Sequence, residues 1–277
     1  MRFWKYHGLG NDFILLEDDG SVPKDPKTVR SLCQRRFGIG ADGTLYLGTS
    51  QSADASMRIM NSDGSEAEMC GNGIRCLAKH LHGRVGKERL TIDTKAGQMT
   101  VTCHLDNGEV VEVEVDMGPP ILDCERIPMD CRGRFVAKDI EVDGRRLKGT
   151  AVSMGNPHFV TFEELSEGEM RRLGPMIEGH PSFPRRTNVE FVSVHHGGLR
   201  VEVYERGAGW TLACGTGACA ATVAAALSGL VPFDREIRVT LPGGDLRVRV
   251  PEDLSSVLMT GPAERVYEGY IGDQHGI

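Results

Sequence analysis

Long basic runs are missing from this 277-residue chain: 32 Lys and Arg stand against 39 Asp and Glu, for a formal net charge of −7 and a pI ≈ 5.7. A nucleic-acid partner therefore has no electrostatic footprint, and a small-molecule partner is the expectation. Residues 1–6 alternate polar and apolar side chains and lack the apolar core, roughly 7 to 15 residues long, of a secretory signal. The chain is accordingly expected in the cytoplasm. One stretch, residues 207–233, has no charged side chain, but it is Ala-rich and interrupted by Gly209, Gly215, Gly217, Gly229 and Pro232. It reads as a buried helix with its approach loop, and no membrane partner is expected. Cys-x-x-Cys, His-x-x-x-His and His-Glu-x-x-His spacings are missing, as is a Gly-x-Ser-x-Gly elbow, and no Lys stands in a Schiff-base setting. No metal, pyridoxal phosphate or other cofactor is expected. Gly38-Ile-Gly-Ala-Asp-Gly43 matches the dinucleotide fingerprint letter for letter. A helix-like segment precedes it and a strand-like one follows, the reverse of the order that seats a pyrophosphate on a helix N-terminus.

What is present is glycine, 35 residues spread without a three-residue period, which points to many turns between short strands. Alternating apolar patterns predict strands at 12–16, 44–47, 57–60, 89–94, 99–104 and 110–116. A first helix follows Asp25 as N-cap with Pro26 at its opening position and an apolar stripe of Val29, Leu32, Cys33 and Phe37. A second follows Cys70-Gly71-Asn72-Gly73 and runs through Leu77 and Leu81. From Met154 onward the order returns. A strand at 158–162 leads to a helix opened by the capping box of Ser166 and Glu169, then strands at 189–194 and 199–204. A helix after Cys214-Gly215-Thr216-Gly217 follows, with strands at 237–241, 246–250 and 257–259.

Gly10-Asn11 against Gly155-Asn156, Cys70 against Cys214, and Gly118-Pro119 against Gly261-Pro262 are offset by 145, 144 and 143 residues. A near-constant offset of about half the chain marks an internal duplication. The expected fold is α+β, with two pseudo-symmetric domains, each a curled, mainly antiparallel sheet or barrel around a central helix. The domains are expected over 1–117, joined by the C-terminal strand 262–277, and over 118–261, with the boundary near Met117 to Pro120.

Each repeated turn puts a cysteine directly before Gly-x-Gly and a helix, facing unpaired backbone N–H groups and the positive end of the helix dipole. That setting favours thiolate and makes Cys70 and Cys214 candidate acid/base groups, while the same N–H groups can receive a carboxylate. Two similar domains about a pseudo-twofold axis would face the two sulfurs across a cleft, with one substrate carbon between them. One thiolate would remove a proton and the opposite thiol return one to the other face. The eight cysteines form an even set, but in a reducing compartment all are expected as thiols. Cys33, Cys76, Cys103, Cys124, Cys131 and Cys219 lack the helix-start setting and read as packing residues or incidental thiols.

Through His7-Gly-Leu-Gly-Asn-Asp-Phe13, Gly38-Ile-Gly-Ala-Asp42, Asn61-Ser-Asp-Gly-Ser65, Cys70-Gly-Asn-Gly73, Gly155-Asn-Pro-His158, Thr187-Asn-Val-Glu190, Glu205-Arg-Gly-Ala-Gly209 and Ala213-Cys-Gly-Thr-Gly217 the chain resembles the diaminopimelate epimerase family. The resemblance extends over almost the whole chain. It implies a cofactor-independent isomerase that interconverts LL- and meso-diaminopimelate, feeds lysine and peptidoglycan synthesis, and works as a homodimer. It implies Cys70 and Cys214 as the acid/base pair, with Asn11, Asn61, Asn156, Asn188, Glu205 and Arg206 on the substrate. The backbone at Gly71, Asn72, Gly215 and Thr216 would receive the carboxylate beside the reacting carbon, and His158 would stand near the cysteines in support. Gly43 is a departure, at a position where family members can carry Gln. A substrate with two zwitterionic ends also suits the residues themselves, since Arg206 can grip a distal carboxylate in a fork and Glu205 a distal ammonium. Two rival readings remain: racemisation of another amino acid such as proline, for which Arg206 would have no distal partner, and a thiol redox protein cycling Cys70 and Cys214.

Overall fold

In the computed structural model, which describes residues 1–20 and 22–272, the chain divides into two compact units. One is Met1–Asp116 with the described part of Thr260–Ile277, the other Met117–Met259. The first unit contains β1 (Arg2–Gly8), β2 (Asn11–Glu17), α1 (Pro26–Cys33), β3 (Gly43–Gly48), β4 (Ala55–Asn61), β5 (Glu66–Ala67), α2 (Gly71–Val85), β6 (Arg89–Thr94), β7 (Gly97–Asp106) and β8 (Glu109–Asp116). The second contains β9 (Lys138–Val142), β10 (Arg145–Ser153), β11 (Pro157–Thr161), α3 (Glu167–Glu178), β12 (Asn188–His195), β13 (Gly198–Glu205), β14 (Gly209–Thr211), α4 (Gly215–Leu227), β15 (Glu236–Leu241) and β16 (Gly244–Arg249). The chain then forms β17 (Leu258–Gly261) and β18 (Glu264–Tyr270). Positions 273–277 of the expected C-terminal strand lie outside the described residues.

Pairing repeats element for element. In the first unit β1 runs antiparallel to β18 and β2, β2 is parallel to β3, and β3 is antiparallel to β4; β4 is antiparallel to β5 but parallel to β6, and β6, β7 and β8 form a meander. In the second, β10 is antiparallel to β9 and β11, β11 is parallel to β12, and β12 is antiparallel to β13; β13 is antiparallel to β14 but parallel to β15, which turns back into β16. The crossover helices α1 and α3 sit at equivalent places, between the two strands of the first parallel pair, as a parallel connection requires. The fold is thus α+β, sheet-dominated and repeated.

Each sheet curls about its own helix: α2 touches β1, β2, β3, β4, β7 and β8, and α4 touches β10, β11, β12, β13, β15 and β16. The sequence explains how α4 fits. Every residue from Gly217 to Ala226 is buried, most of them Ala, so strands can close on all sides of a narrow cylinder without burying an unpaired charge. In α2 the fully buried Ile74 and Leu77 each stabilise the unit by about 1.5–3 kcal/mol. Among the described residues no helix is long and apolar enough to cross a membrane.

Two expectations need correction. Helix α1 stops at Cys33, where Gln34 turns extended, so Phe37 falls off the predicted stripe and is 83% exposed. Cys124 and Cys131, expected as thiols, form a disulfide with a Cα–Cα distance of 5.6 Å. The other six cysteines, Cys70 and Cys214 among them, are outside any disulfide.

Candidate active site

In the first unit the site starts at the N-terminus of α2. Cys70 is the N-cap, in extended conformation, and its Sγ accepts the Gly73 N–H at 3.4 Å. A serine or aspartate would ordinarily fill this position, with an oxygen taking up an orphan helix donor; here the sulfur does. Asn11, at the start of β2, presents Oδ1 to the Cys70 thiol at 3.8 Å and to Asn72 Nδ2 at 3.3 Å. Its orientation is set from behind, because its Nδ2 donates to Asp42 at 3.1 Å. Asp42 and Asp12 exchange backbone N–H bonds through their carboxylates, and Arg35 clamps both at 2.7 Å. Burial pushes the Asp12 carboxyl up, but hydrogen bonds from Arg35 and Lys5 outweigh it and hold the group well below the usual carboxylate range.

Behind the cap lies Arg75, wholly buried. Its guanidinium donates to Gly71 O at 3.2 Å, Asn72 Oδ1 at 2.9 Å and Pro262 O at 3.1 Å. It thereby fixes which way the Asn72 amide faces and holds the first turn of α2 in place. Gly71 and Asn72 occupy that buried first turn, beside Cys70 as expected. Asn61, the last residue of β4, belongs to a separate exposed turn in which its amide donates to Ser65 Oγ at 3.0 Å. Gly43 pairs with Asn61 across β3 and β4, and a Cβ there would lie 2.7 Å from the Met60 carbonyl oxygen. Backbone pairing therefore leaves no room for a side chain at this position without a shift.

In the second unit Cys214 caps α4 the same way, its Sγ accepting the Gly217 N–H at 3.4 Å. The Thr216 hydroxyl is 3.4 Å from the same sulfur and 3.3 Å from Asn156 Nδ2. Asn156 Oδ1 is 3.0 Å from His158 Nε2, and His158 Nδ1 is 2.7 Å from Glu190 Oε1. Both His158 and Glu190 are fully buried. Asn188 uses its amide structurally, donating to Pro157 O at 2.9 Å and accepting the Arg206 N–H at 2.9 Å. The exposed Arg206 guanidinium donates to Arg185 O at 3.3 Å, and the Glu205 carboxylate accepts the Thr211 hydroxyl at 2.5 Å. Cys214, Thr216, Asn156 and His158 are thus one connected group, with Gly215 in the helix's first turn, while Asn188, Glu205 and Arg206 form a second group along β12 and β13.

The helix-start argument predicts a lowered thiol pKa, and at Cys214 the opposite holds. Burial pushes the thiol well above its ordinary value, the Glu205 and Glu190 carboxyls add to the rise, and the Thr216 hydroxyl and Gly217 N–H pull the other way without offsetting it. Burial dominates at Cys76 as well, its thiol being pushed up to about 12 although the Arg75 and Lys79 cations pull it down. Sequence reasoning assigned no role to Arg75, Asp12, Asp42 or Glu190. Arg75 could have been noticed as a guanidinium inside Gly-Ile-Arg-Cys-Leu-Ala, an otherwise small and apolar helical run. Glu190 could have been noticed as an acid enclosed by Val189 and Phe191.

The repeated unit is the fold of the hydroxyproline epimerase from Agrobacterium vitis, solved with trans-4-hydroxy-L-proline bound. The two superpose with a TM-score of 0.72 at 16% identity, over 97% of this chain and 91% of that one. By fold, then, the protein falls in the class that contains that epimerase. Within the class the sequence is decisive. The family model described as diaminopimelate epimerase matches residues 3–122 and 150–266. The diaminopimelate epimerase of Desulfitobacterium hafniense is 48% identical over 280 residues, covering 98% of each chain, and that of Moorella thermoacetica is 49% identical over 276 residues, covering 97% of this chain and 98% of the other. The chain belongs to the diaminopimelate epimerase family and is an epimerase.

Proposed function

We propose that the protein interconverts LL- and meso-diaminopimelate by proton transfer at one α-carbon, with Cys70 and Cys214 as its two acid/base groups. The observation that carries the reading is the repetition of one unusual feature, a cysteine as helix N-cap at the same place in each unit. One sulfur, as thiolate, removes the α-proton; the other, as thiol, delivers a proton to the opposite face, and the configuration inverts. The developing carbanion places charge on its carboxylate, which the N–H groups of Gly71, Asn72, Gly215 and Thr216 would stabilise. Asn11, Asn61, Asn156 and Asn188 would orient the amino-acid ends, with Arg206 on the distal carboxylate and Glu205 on the distal ammonium. A Cys214 thiol held high by burial suits a group that is a proton donor before substrate arrives. To test the assignment, reduced protein is incubated with LL-diaminopimelate, and separately with L-proline, and the stereoisomers are separated. Formation of the meso isomer and unchanged proline are expected; racemised proline with unchanged diaminopimelate would refute the substrate.

The cytoplasm and a homodimeric assembly complete the proposal. Strand β18 leaves Val266, Tyr267 and Tyr270 exposed at 56%, 45% and 76%, an apolar set that a second copy would cover. Sedimentation of the wild type against Tyr270→Glu tests this: a dimer that becomes monomeric supports it, and a wild-type monomer refutes it.

A further inference from the structure

Glu190 stands outside the roles assigned so far, yet its placement is hard to explain as packing. It lies on β12 with both neighbours apolar, fully buried, and its Oε2 has no hydrogen-bond partner among the described residues. An acid in this position is expensive to keep unless it does something a leucine or glutamine could not. Oε1 is 2.7 Å from His158 Nδ1, and a Cβ on Gly217 would come within 2.8 Å of it. Glu190 therefore sits against the same first turn of α4 whose Gly217 N–H donates to the Cys214 sulfur.

Proton counting along this chain of contacts is restrictive. Asn156 Nδ2 donates to Thr216 Oγ1, so its Oδ1 faces His158 and requires Nε2 to carry a hydrogen. The short Nδ1 to Oε1 contact must hold a proton as well. That proton resides either on the imidazole, giving an ion pair, or on the carboxyl, giving two neutral groups. In both arrangements the pair carries no net charge, and His158 keeps the same Nε2–H. Thr216 Oγ1, already accepting from Asn156, has its own hydrogen left to point at the Cys214 sulfur 3.4 Å away.

We propose that Glu190 is a positioning residue for the reaction: by sharing one proton with His158 it fixes His158 as an Nε2–H donor, and through Asn156 it turns the Thr216 hydroxyl onto Cys214. With the relay set this way, a thiolate formed at Cys214 meets two donors, the Thr216 hydroxyl and the Gly217 N–H. Without it, neutral His158 is free to take the other tautomer, the Asn156 amide flips, and the Thr216 hydroxyl turns toward Asn156 and away from sulfur. The titratable groups facing Glu190 are His158 on β11, Glu205 on β13 and Cys214 at the head of α4. Burial pushes the Glu190 carboxyl up and His158 pulls it back down in part, in keeping with a shared proton.

The inference rests on the proposed two-thiol reaction for its kinetic consequence but not for its structural one, and two measurements separate them. Nitrogen-15 shifts of His158 in the wild-type protein, without substrate, are expected to show Nε2 protonated throughout the neutral range. A bare Nε2 would overturn the proposal whatever the substrate is. Glu190→Gln keeps the shape and can hold a hydrogen bond but cannot exchange the proton. It is expected to lower kcat by roughly tenfold to a hundredfold with little change in KM, and to move the pH profile, with Glu190→Asp recovering part of the rate. A folded Glu190→Gln variant whose His158 nitrogen shifts show a bare Nε2, yet which keeps wild-type kcat and a superimposable profile, would contradict the role. Should Glu190→Gln fail to fold, the His158 nitrogen shifts and the Glu190→Asp rate decide. If the wild type itself does not turn over diaminopimelate, the function fails while the nitrogen shifts still test the relay.

Discussion

The two cysteine caps share a backbone and differ in the charged side chains that support it. Cys70 and Cys214 are both extended N-caps, both accept the N–H three residues on at 3.4 Å, and both open helices wrapped by matching strand orders. Around Cys70 the side chains are anchored by cations: Arg75 behind the helix turn, Arg35 and Lys5 behind Asp12 and hence Asn11. Around Cys214 they are anchored by acid, with Glu190 behind His158. Cys70 meets an amide oxygen, that of Asn11, which asks the sulfur for a hydrogen. Cys214 meets a hydroxyl, that of Thr216, which in the proposed relay offers one. Duplication thus supplies two equivalent caps, and the residues that support them have diverged. An inverting reaction needs unequal proton states, since one group must start as base while the other starts as acid.

The comparison can be broken most severely at sulfur. Cys70→Ala and Cys214→Ala should each lower turnover by on the order of a thousandfold or more while substrate binding, read by calorimetry, survives; a variant that keeps a tenth of its rate would show that the caps do not share the work. Next comes the cation side. Arg75→Met should take a buried donor away from three acceptors, Gly71 O, Asn72 Oδ1 and Pro262 O, and cost about 3 kcal/mol or more in denaturant unfolding, whereas a loss within error would mean the guanidinium holds nothing. The glycines sharpen the contrast further. A methyl at Gly217 meets the Glu190 carboxylate at 2.8 Å, while one at Gly73 meets only the tip of Leu45 at 2.9 Å. Gly217→Ala should therefore destabilise by about 1–3 kcal/mol and Gly73→Ala by less, and melting of the two variants side by side reads the order.

The smallest expected effect is the response to acid. Asp12, held below the ordinary range, contributes stability that is present above about pH 3.9 and is lost as pH falls toward its folded value. Glu190, held above it, contributes stability that is complete below about pH 4.3 and is lost as pH rises through its folded value. Amide exchange on acidification should consequently loosen β2 before β12. The reverse order would contradict the assignment of these two carboxyls.

Much of this was legible before any coordinates, for physical reasons that also explain the gaps. Arg89–Thr94 was readable as a strand because one face is buried and the other wet, so alternation survives in the letters. Ser166 and Glu169 announced α3 because their reciprocal capping bonds are local, the Ser166 N–H donating to Glu169 at 2.9 Å. The Cys-Gly-x-Gly turns were readable because a helix start is a short-range event. Strand β1 escaped, since Phe3 to Tyr6 are all buried, with Lys5 neutralised by Asp12, so the alternation in its letters does not separate a buried face from a wet one. The hairpin of β9 and β10 escaped because Arg145, Arg146 and Lys148 mask the buried Ile140, Val142 and Leu147. The roles of Arg75 and Glu190 depend on partners distant in sequence, among them Pro262 for the first and His158 for the second. No local pattern encodes such a pairing, and the disulfide between Cys124 and Cys131 was likewise read as two thiols.

The claim on which the account turns is that inversion is shared between two proton-transfer groups, one from each repeat. The most direct measurement starts the reduced protein on LL-diaminopimelate in heavy water and follows deuterium at carbon 2 in substrate and product from the first few per cent of conversion. Two groups predict a meso product that carries solvent deuterium while unreacted LL substrate stays unlabelled. Deuterium appearing at equal rates in both pools, or a meso product that retains the original hydrogen, would mean that one group does all the work.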